Sequence, residues 1–447
     1  MALHGELSLF QQALRRLSRM GSEPPLISTT EACGFMVLEQ CGQSGMAPGE
    51  IIIEPEPRNT APAILAAALH IRVRKPEALM LVLPSDHYFP PESEEALIDA
   101  LETAVAEAAN GRIVTIGIRP DRPETGYGYL ELDQATAGNG AQPLRRFVEK
   151  PDRETAARML ESGRYLWNAG IFLFSASTIC EAFGRHAPDM LKLVREALQE
   201  ARREANFLKL APAPWKKVPN ISIDYAIMEK ADNLSVVPFD GGWSDLGDWA
   251  AVNRLMPKDE RGNSLSPNAL ALSCRDTMIR AEAENIQVVG IGLRDLLVLA
   301  TPDAVLVADK ERSQEVGLAV RQLRATGVEQ AMSHRHHCRP WGSFEYLGRG
   351  NNFQVKKIIV QPGGILSLQS HRHRAEHWIV VEGRALVTVG NERRILEKDQ
   401  SVHIPKGARH RLENIDASSP LVLIEILTGE YLGDDDIVRY EDAYDRK

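Results

Sequence analysis

The sequence predicts an α/β domain, then a small β-rich subdomain, then a C-terminal all-β barrel. Three observations carry this reading. Strand-like and helix-like stretches alternate through the first 255 or so residues. From about Asn263 the texture changes to short β-rich pieces. From Arg339 to about Ile426, strands are separated by turn signals such as Pro362-Gly363-Gly364, Gly390-Asn391 and Pro405-Lys406-Gly407. The length of 447 residues is in any case too great for one compact core and implies two or three domains.

Taken in order, MLVLP (Met80–Pro84) is apolar on both faces, as expected of a strand buried in a parallel sheet. Ser93 is placed to cap a helix through EEALIDALETAVAEAAN, where Leu97, Leu101, Ala104, Val105 and Ala108 share one face and Gly111 ends it. RIVTIGI (Arg112–Ile118) is the next strand, completing a βαβ unit. Further helices are expected at PDRETAARMLESG, PDMLKLVREALQEARREAN and SIDYAIMEKA. The β-rich pieces are IQVVGIG, DLLVLAT and AVLVAD, followed by one helical stretch near Arg312–Ala325. ATGVEQAMSHRHH is polar and weakly patterned, and reads as a linker.

Composition excludes several classes of function. Lys+Arg 52 against Asp+Glu 61 gives a net charge of −9, which is no electrostatic footprint for nucleic acid or an anionic membrane. The longest apolar runs, Ala63–Leu69 and Leu79–Leu83, are far too short to span a bilayer. The start, MALHGELSLFQQALRR, lacks the basic-then-apolar order of a signal peptide. Five widely spaced cysteines without a CxxC pair fit reduced thiols rather than a disulfide frame. A soluble, cytoplasmic, multidomain chain is the expectation.

The strongest chemical signal is HRHRAEHWIVVEG (His371–Gly383), followed by PKGARHRLEN (Pro405–Asn414). Residues i and i+2 of a strand share a face, so His371 and His373 can aim two imidazoles into a barrel, and a later hairpin returns His410. Three imidazoles and a carboxylate suit a divalent ion such as Zn²⁺, Mn²⁺, Fe²⁺ or Co²⁺. The two blocks resemble the cupin motifs HxH…E…G and PxGxxHxxxN, the second complete at Pro405, Gly407, His410 and Asn414. The first departs from the pattern, with two residues between His373 and Glu376 where cupins have three or four. Glu376 is the favoured ligand, since it keeps the usual distance to Gly383, and His377 is the alternative.

In the first domain, LVLPSDH places Asp86 and His87 just past the carboxyl end of a strand, where open α/β sheets hold ligands. GGWSDLGDW adds Asp245, and two such carboxylates are a usual way to hold Mg²⁺ against nucleotide phosphates. Arg58, Asn59 and Thr60 precede a helix with Pro62 in its first turn. Gly126, Tyr127 and Gly128 form a loop whose backbone can approach a sugar closely. FVEKP supplies Glu149 and Lys150, and WNAGIFLF supplies Asn168.

In this order LPSDH, RNTAPAI, TGYGY, VEKP, WNAGIFLF, SIDYAIMEK and GWSDLGDW resemble the pyrophosphorylases that handle mannose 1-phosphate. RPWGSFE, HRAEHWIVVEG, HRLEN and EYLGDDDIVRYED resemble the C-terminal part of a bifunctional family, mannose-1-phosphate guanylyltransferase/mannose-6-phosphate isomerase. The resemblance implies a Rossmann-like nucleotidyltransferase domain over 1–262, a β-rich subdomain over 263–330, a linker at 331–338 and a cupin jelly roll over 339–447. It implies GTP, mannose 1-phosphate, mannose 6-phosphate and fructose 6-phosphate as substrates, and a homo-oligomer is compatible with it. Asp86 and Asp245 would hold Mg²⁺, the Arg58–Thr60 loop would lie by the guanine, Glu149 and Asn168 would read sugar hydroxyls, and Lys150 would bind the sugar phosphate. In the isomerase, Arg374 would partner a phosphate or oxyanion and Glu413 would act as the base of a cis-enediol mechanism. The family also carries a first strand and a GxGxR loop followed by Pro-Lys. MALHGELSLFQQALRRL resembles the helix after that loop, so a chain opening there is expected to lack guanylyl transfer.

Overall fold

The computed structural model describes residues 7–133, 140–204, 206–332 and 334–444. The chain divides into two compact units, one of residues 1–31, 40–203 and 207–331, the other of residues 32–39, 204–206 and 332–447.

In the first unit, six strands lie in the order Leu79–Val82, Tyr165–Ser175, Ile113–Ile118, Leu234–Phe239, Gln142–Glu149, Gly128–Leu132. Within this sheet Ile113–Ile118 and Leu234–Phe239 pair in parallel, and the remaining pairs are antiparallel, so the expected parallel sheet is a mixed one. The cause is the strand Tyr165–Ser175, which inserts between the two strands of the predicted βαβ unit and runs antiparallel to both. It buries Leu166, Trp167, Ala169, Ile171, Phe172, Leu173 and Phe174 on its two faces, and only a central place in the sheet removes both faces from water. A separate parallel set joins Leu26–Thr30, Glu50–Glu54 and Phe207–Lys209.

The helix Glu94–Ala109 buries Leu97, Leu101, Ala104 and Ala108 as its sequence requires, whereas Val105, expected on the same face, is exposed and Ala100 is buried in addition. Ser93 does not cap it: a 3₁₀ turn, Pro91–Ser93, extends the helix upstream, and the Ser93 hydroxyl accepts the Gly242 N–H instead (2.7 Å). The helix expected over PDMLKLVREALQEARREAN stops at Gln199, and Arg202–Glu204 is extended. The chain there turns back to pair Phe207–Lys209 with the Glu50–Glu54 strand, and tertiary pairing overrides helix propensity. Asp224–Met228 in SIDYAIMEKA winds as a π-helix.

The β-rich region coils as parallel rungs, Ser264–Leu265 on Met278–Ala281 on Leu296–Ala300, and Ala269–Leu272 on Val288–Ile291. A helix at Val316–Ala325 follows.

The second unit contains a sandwich of two antiparallel sheets. One has the order His336–Arg339, Gly342–Gly350, Phe353–Val360, Leu421–Gly429, Arg374–Glu382, Ser401–Ile404. The other has the order Glu392–Leu396, Ala385–Val389, His410–Asn414, Leu368–His371, Ile437–Glu441. The segment read as a linker thus ends in an edge strand, and the barrel reaches past Ile426 to a strand that pairs with Leu368–His371. Trp378, Val380, Val387, Leu412, Leu421 and Leu423 form part of its core.

Candidate functional site

Inside the sandwich, strand alternation decides which side chains meet. Glu376, Trp378 and Val380 face inward on Arg374–Glu382, while His377 lies on the other face, its ring 6.0 Å from that of His403. His371 comes from the end of Leu368–His371 and His410 from the start of His410–Asn414. His371, Glu376 and His410 are 2%, 2% and 1% exposed, and their ligand atoms lie within 4.8 Å of one another. His371 Nε2 is 2.9 Å from Glu376 Oε1, and His410 Nε2 is 3.5 Å from Glu376 Oε2.

Two features fit this trio to a divalent ion. Both ring nitrogens of His371 and Oε2 of Glu376 are buried without a hydrogen-bond partner of good geometry, a costly state that a cation would relieve. His410 Nδ1 lies 3.0 Å from the Ala408 carbonyl, which places a proton on Nδ1 and aims Nε2 at Glu376, the nitrogen that a cation would take in its neutral form. Burial raises the Glu376 carboxyl, but the His371 and His410 imidazoles outweigh this and hold it well below the usual range. Burial lowers His410, and Glu376 outweighs it to leave the imidazole raised.

The structure does not bring His373 to this trio. The strand ends at His371, and the chain bends at Arg372 and His373, so the i, i+2 rule no longer applies. The His373 side chain is 58% exposed, with Nδ1 2.8 Å from Asp436 Oδ1, and Asp436 also accepts the backbone N–H groups of Arg372 and His373. Arg374, expected to partner a phosphate or oxyanion, is buried and spent inside the barrel: Nε donates to Glu376 Oε1 (3.4 Å) and NH1 to the Gly433 carbonyl (2.9 Å). Glu413 lies three residues from His410 on one strand, hence on the opposite face, where it meets Arg393 (3.5 Å). It is not placed to act as a base at the trio.

In the first unit, a bridge between Tyr88 and Ser244 brings the segment carrying Asp86 beside the one carrying Asp245. Asp86 is exposed, and Asp245 accepts the Tyr127 hydroxyl (2.7 Å). Burial and then the Asp245 charge raise the Tyr127 phenol, so it stays a donor. Gly126 donates its N–H to Glu124 (3.3 Å). Gly128 pairs with Glu149, and a Cβ there would sit 2.6 Å from Glu149 Oε2, so glycine is what lets this carboxylate lie against the strand. Lys150 has φ of 47°, donates its N–H to the Tyr127 carbonyl (3.2 Å), and carries Nζ 3.5 Å from Glu149 Oε1.

Asn168 is held by three hydrogen bonds: its Oδ1 accepts from Thr115 Oγ1 (2.8 Å) and Gly170 N (3.1 Å), and its Nδ2 donates to Asp224 Oδ1 (3.0 Å). Asn59, with φ of 69°, caps the helix Thr60–Arg72, and Thr60 Oγ1 accepts the Ile223 N–H (2.9 Å). Arg58 donates to the Lys216 carbonyl (2.7 Å) and pairs with Glu56.

Residues 1–262 match the nucleotidyl transferase family, 268–323 the MannoseP isomerase/GMP-like beta-helix domain, and 326–442 the mannose-6-phosphate isomerase C-terminal family. The chain is 43% identical over 444 residues to the xanthan biosynthesis protein XanB of Xanthomonas campestris pv. campestris, covering 99% of this chain and 93% of that one. It is 40% identical over 451 residues to a mannose-1-phosphate guanylyltransferase of Escherichia coli K12, covering 100% and 93%. The chain belongs to the bifunctional mannose-1-phosphate guanylyltransferase/mannose-6-phosphate isomerase family. A solved structure, a mannose-1-phosphate geranyltransferase from Thermus thermophilus, superposes with TM-score 0.59 at 31% identity, covering 71% of this chain and 89% of that one.

Within this family framework, several residues were missed from sequence. Gln369 shares the inward face with His371 and places its amide 3.5 Å from His410 Nε2. The signal was present in the spacing. Gln369-x-His371 leaves four residues before Glu376, the cupin interval that His371-x-His373 violates, and only the assumption of histidine at both places hid it. Lys356 and Glu425 form a buried pair (3.5 Å), with Glu425 also accepting from Trp378 Nε1 (3.0 Å). Asp436, in the acidic run Asp434–Asp436, and Asp224, in a segment read only as a helix, were likewise passed over, because a lone acidic residue carries no periodic signal.

Proposed function

We propose that this chain serves GDP-mannose synthesis through two sites, one in each unit. In the barrel, His371, Glu376 and His410 hold a divalent ion such as Zn²⁺, Mn²⁺, Co²⁺ or Fe²⁺, with the Gln369 carbonyl oxygen as a fourth donor once its amide is turned. The ion when bound supplies a Lewis acid for the carbonyl and hydroxyl oxygens of an open-chain sugar. Arg374 braces the Glu376 carboxylate from behind, and the Ala408 carbonyl fixes the His410 tautomer. The reaction assigned to this site is the interconversion of mannose 6-phosphate and fructose 6-phosphate by proton transfer between C2 and C1.

In the α/β domain, Asp86 and Asp245 take Mg²⁺ with the phosphates of GTP, and Glu149, Lys150 and Asn168 take mannose 1-phosphate. Two carboxylates suffice for Mg²⁺, which retains water and phosphate ligands. The Gly126–Gly128 backbone and the Arg58–Thr60 loop border this site. The Tyr127 hydroxyl on Asp245 keeps that carboxylate from turning away.

The observation that carries the reading is the buried, unsatisfied His–Glu–His trio inside the segment matching the isomerase family. Metal-stripped protein should fail to isomerise mannose 6-phosphate, and turnover should return on titrating one equivalent of divalent ion per chain. Titration calorimetry should separately show mannose 1-phosphate and Mg-GTP binding. A protein that takes up one ion at the trio and still does not isomerise either sugar phosphate would sink the isomerase half.

A further inference from the structure

The amide of Asn168 has little freedom left for a ligand. Its oxygen has two lone pairs, and both are engaged, one by the Thr115 hydroxyl (2.8 Å), whose single hydrogen the Ile171 carbonyl also faces (3.1 Å), and one by the Gly170 N–H (3.1 Å). Of its two N–H groups, one donates to Asp224 Oδ1 (3.0 Å). The reverse orientation of the amide would set its oxygen against the Asp224 carboxylate and its NH₂ against the Gly170 N–H, so this network admits one orientation. Asp224 is itself fixed. It opens the π-helix Asp224–Met228, and the N–H of the preceding Ile223 is tied to Thr60 Oγ1 (2.9 Å). Single π-turns are costly and recur at functional sites.

We propose that Asp224 is a positioning residue of the sugar-phosphate site: it holds the Asn168 amide so that one N–H and no lone pair remains for a ligand, and it sets a second carboxylate beside Glu149. This inference rests on the reading that Glu149, Lys150 and Asn168 bind mannose 1-phosphate. The site then has a stated polarity. A sugar hydroxyl oxygen facing Asn168 must accept, and hydroxyls facing Glu149 and Asp224 in their ionised forms must donate. A hydroxyl that does both at once is read as a hydroxyl, and an analogue lacking it leaves a polar group unpaired. The charged groups facing Glu149 are Asp224, Lys150 and Glu229. Burial first and then the Asp224 charge push the Glu149 carboxyl up to about 7, against the pull of Lys150.

The test compares wild type, Asp224→Ala and Asp224→Asn in calorimetric binding of mannose 1-phosphate and its monodeoxy analogues, and in NMR titration of the Glu149 carboxyl in ligand-free protein. Asp224→Ala should weaken mannose 1-phosphate about tenfold and blunt the penalty for the one deoxy analogue that wild type rejects most strongly. Asp224→Asn keeps an oxygen for Asn168 but no charge, and should recover most of that affinity. In both variants the Glu149 midpoint should fall, which loss of a merely structural side chain would not produce. If Asp224→Ala does not fold, the Glu149 midpoint in Asp224→Asn decides. Unchanged affinity and discrimination in Asp224→Ala, or an unmoved Glu149 midpoint in Asp224→Asn, overturns the role of Asp224. Wild-type protein that binds no mannose 1-phosphate overturns the reading of the site and this inference with it.

Discussion

The barrel trio and the sugar-phosphate residues of the α/β domain differ in how their polar atoms are satisfied. In the barrel, His371 and Glu376 lie against each other yet keep buried nitrogen and oxygen atoms without a hydrogen bond of good geometry, and at 2% exposure bulk water does not relieve them. In the α/β domain, Asn168, Asp245 and Glu149 are already engaged by Thr115, Gly170, Asp224, Tyr127 and Lys150, and Lys150 and Asp86 remain open to solvent. The contrast reflects the ligands. A bare ion is bound by lone pairs kept free for it, so the empty site is poor in internal hydrogen bonds. A sugar phosphate is read by oriented donors and acceptors, so its site spends hydrogen bonds on orientation before the ligand arrives.

The sharpest way to break this comparison is to remove one barrel donor. His410→Ala and Glu376→Gln should each lower metal affinity by more than about 100-fold and abolish isomerase turnover, while His377→Gln, on the outer face, should change neither beyond about twofold. Equal metal content in Glu376→Gln and His377→Gln, measured by elemental analysis after dialysis, would contradict the inward placement of Glu376.

Next in size is Gly128→Ala. Its Cβ would meet the Glu149 carboxylate, so the variant should lose about 1–3 kcal/mol of unfolding free energy and most mannose 1-phosphate affinity. Denaturation that coincides with wild type would show that the Glu149 side chain swings aside at no cost.

Smaller again is a pH effect on stability. Glu149 has its carboxyl raised to about 7, above its unfolded value near 4.5, so the folded state binds the proton more tightly. Its stabilising contribution is therefore whole below about 4.5 and is lost as pH rises towards and through about 7. Glu149→Gln, always neutral, should match wild type at acid pH and exceed it by on the order of 1 kcal/mol at pH 8. A difference that is largest in acid would reverse the sign and refute the argument.

The smallest effect expected is at His373. Because it sits with Asp436 outside the trio, His373→Ala should leave metal affinity within about threefold of wild type and cost about 1 kcal/mol of stability from the lost imidazole–Asp436 hydrogen bond, the two backbone N–H groups on Asp436 remaining. Loss of metal equal to that in His410→Ala would return His373 to the ligand set.

What the sequence determined by itself was everything written in local pattern. The alternation of strand and helix and the turn-bounded strands of the barrel follow from periodicity and turn chemistry within a few residues, and the PxGxxHxxxN block with His410 was legible from its resemblance to the cupin motif. Glu376 was favoured over His377 by its distance to Gly383, whereas a period of two carried on from His371 and His373 would have chosen His377. What the tertiary structure alone decided depends on where strands end and which strands meet. His371 and His373 share a face only if the strand continues through Arg372, and the bend there, held by Asp436 from sixty-odd positions away in the sequence, separates them. Arg374 turned inward and Glu413 away from the trio because register with neighbouring strands, which no single segment encodes, sets the inward face. The mixed sheet arose because Tyr165–Ser175 buries two apolar faces and so takes a central position, a choice made by the sum of its contacts. Asp224 became visible only when the fold set it beside Asn168, fifty-six residues earlier in the chain. Short-range order is encoded within a few residues, whereas a site is a meeting of distant ones, and it is fixed by burial and register once the chain has folded.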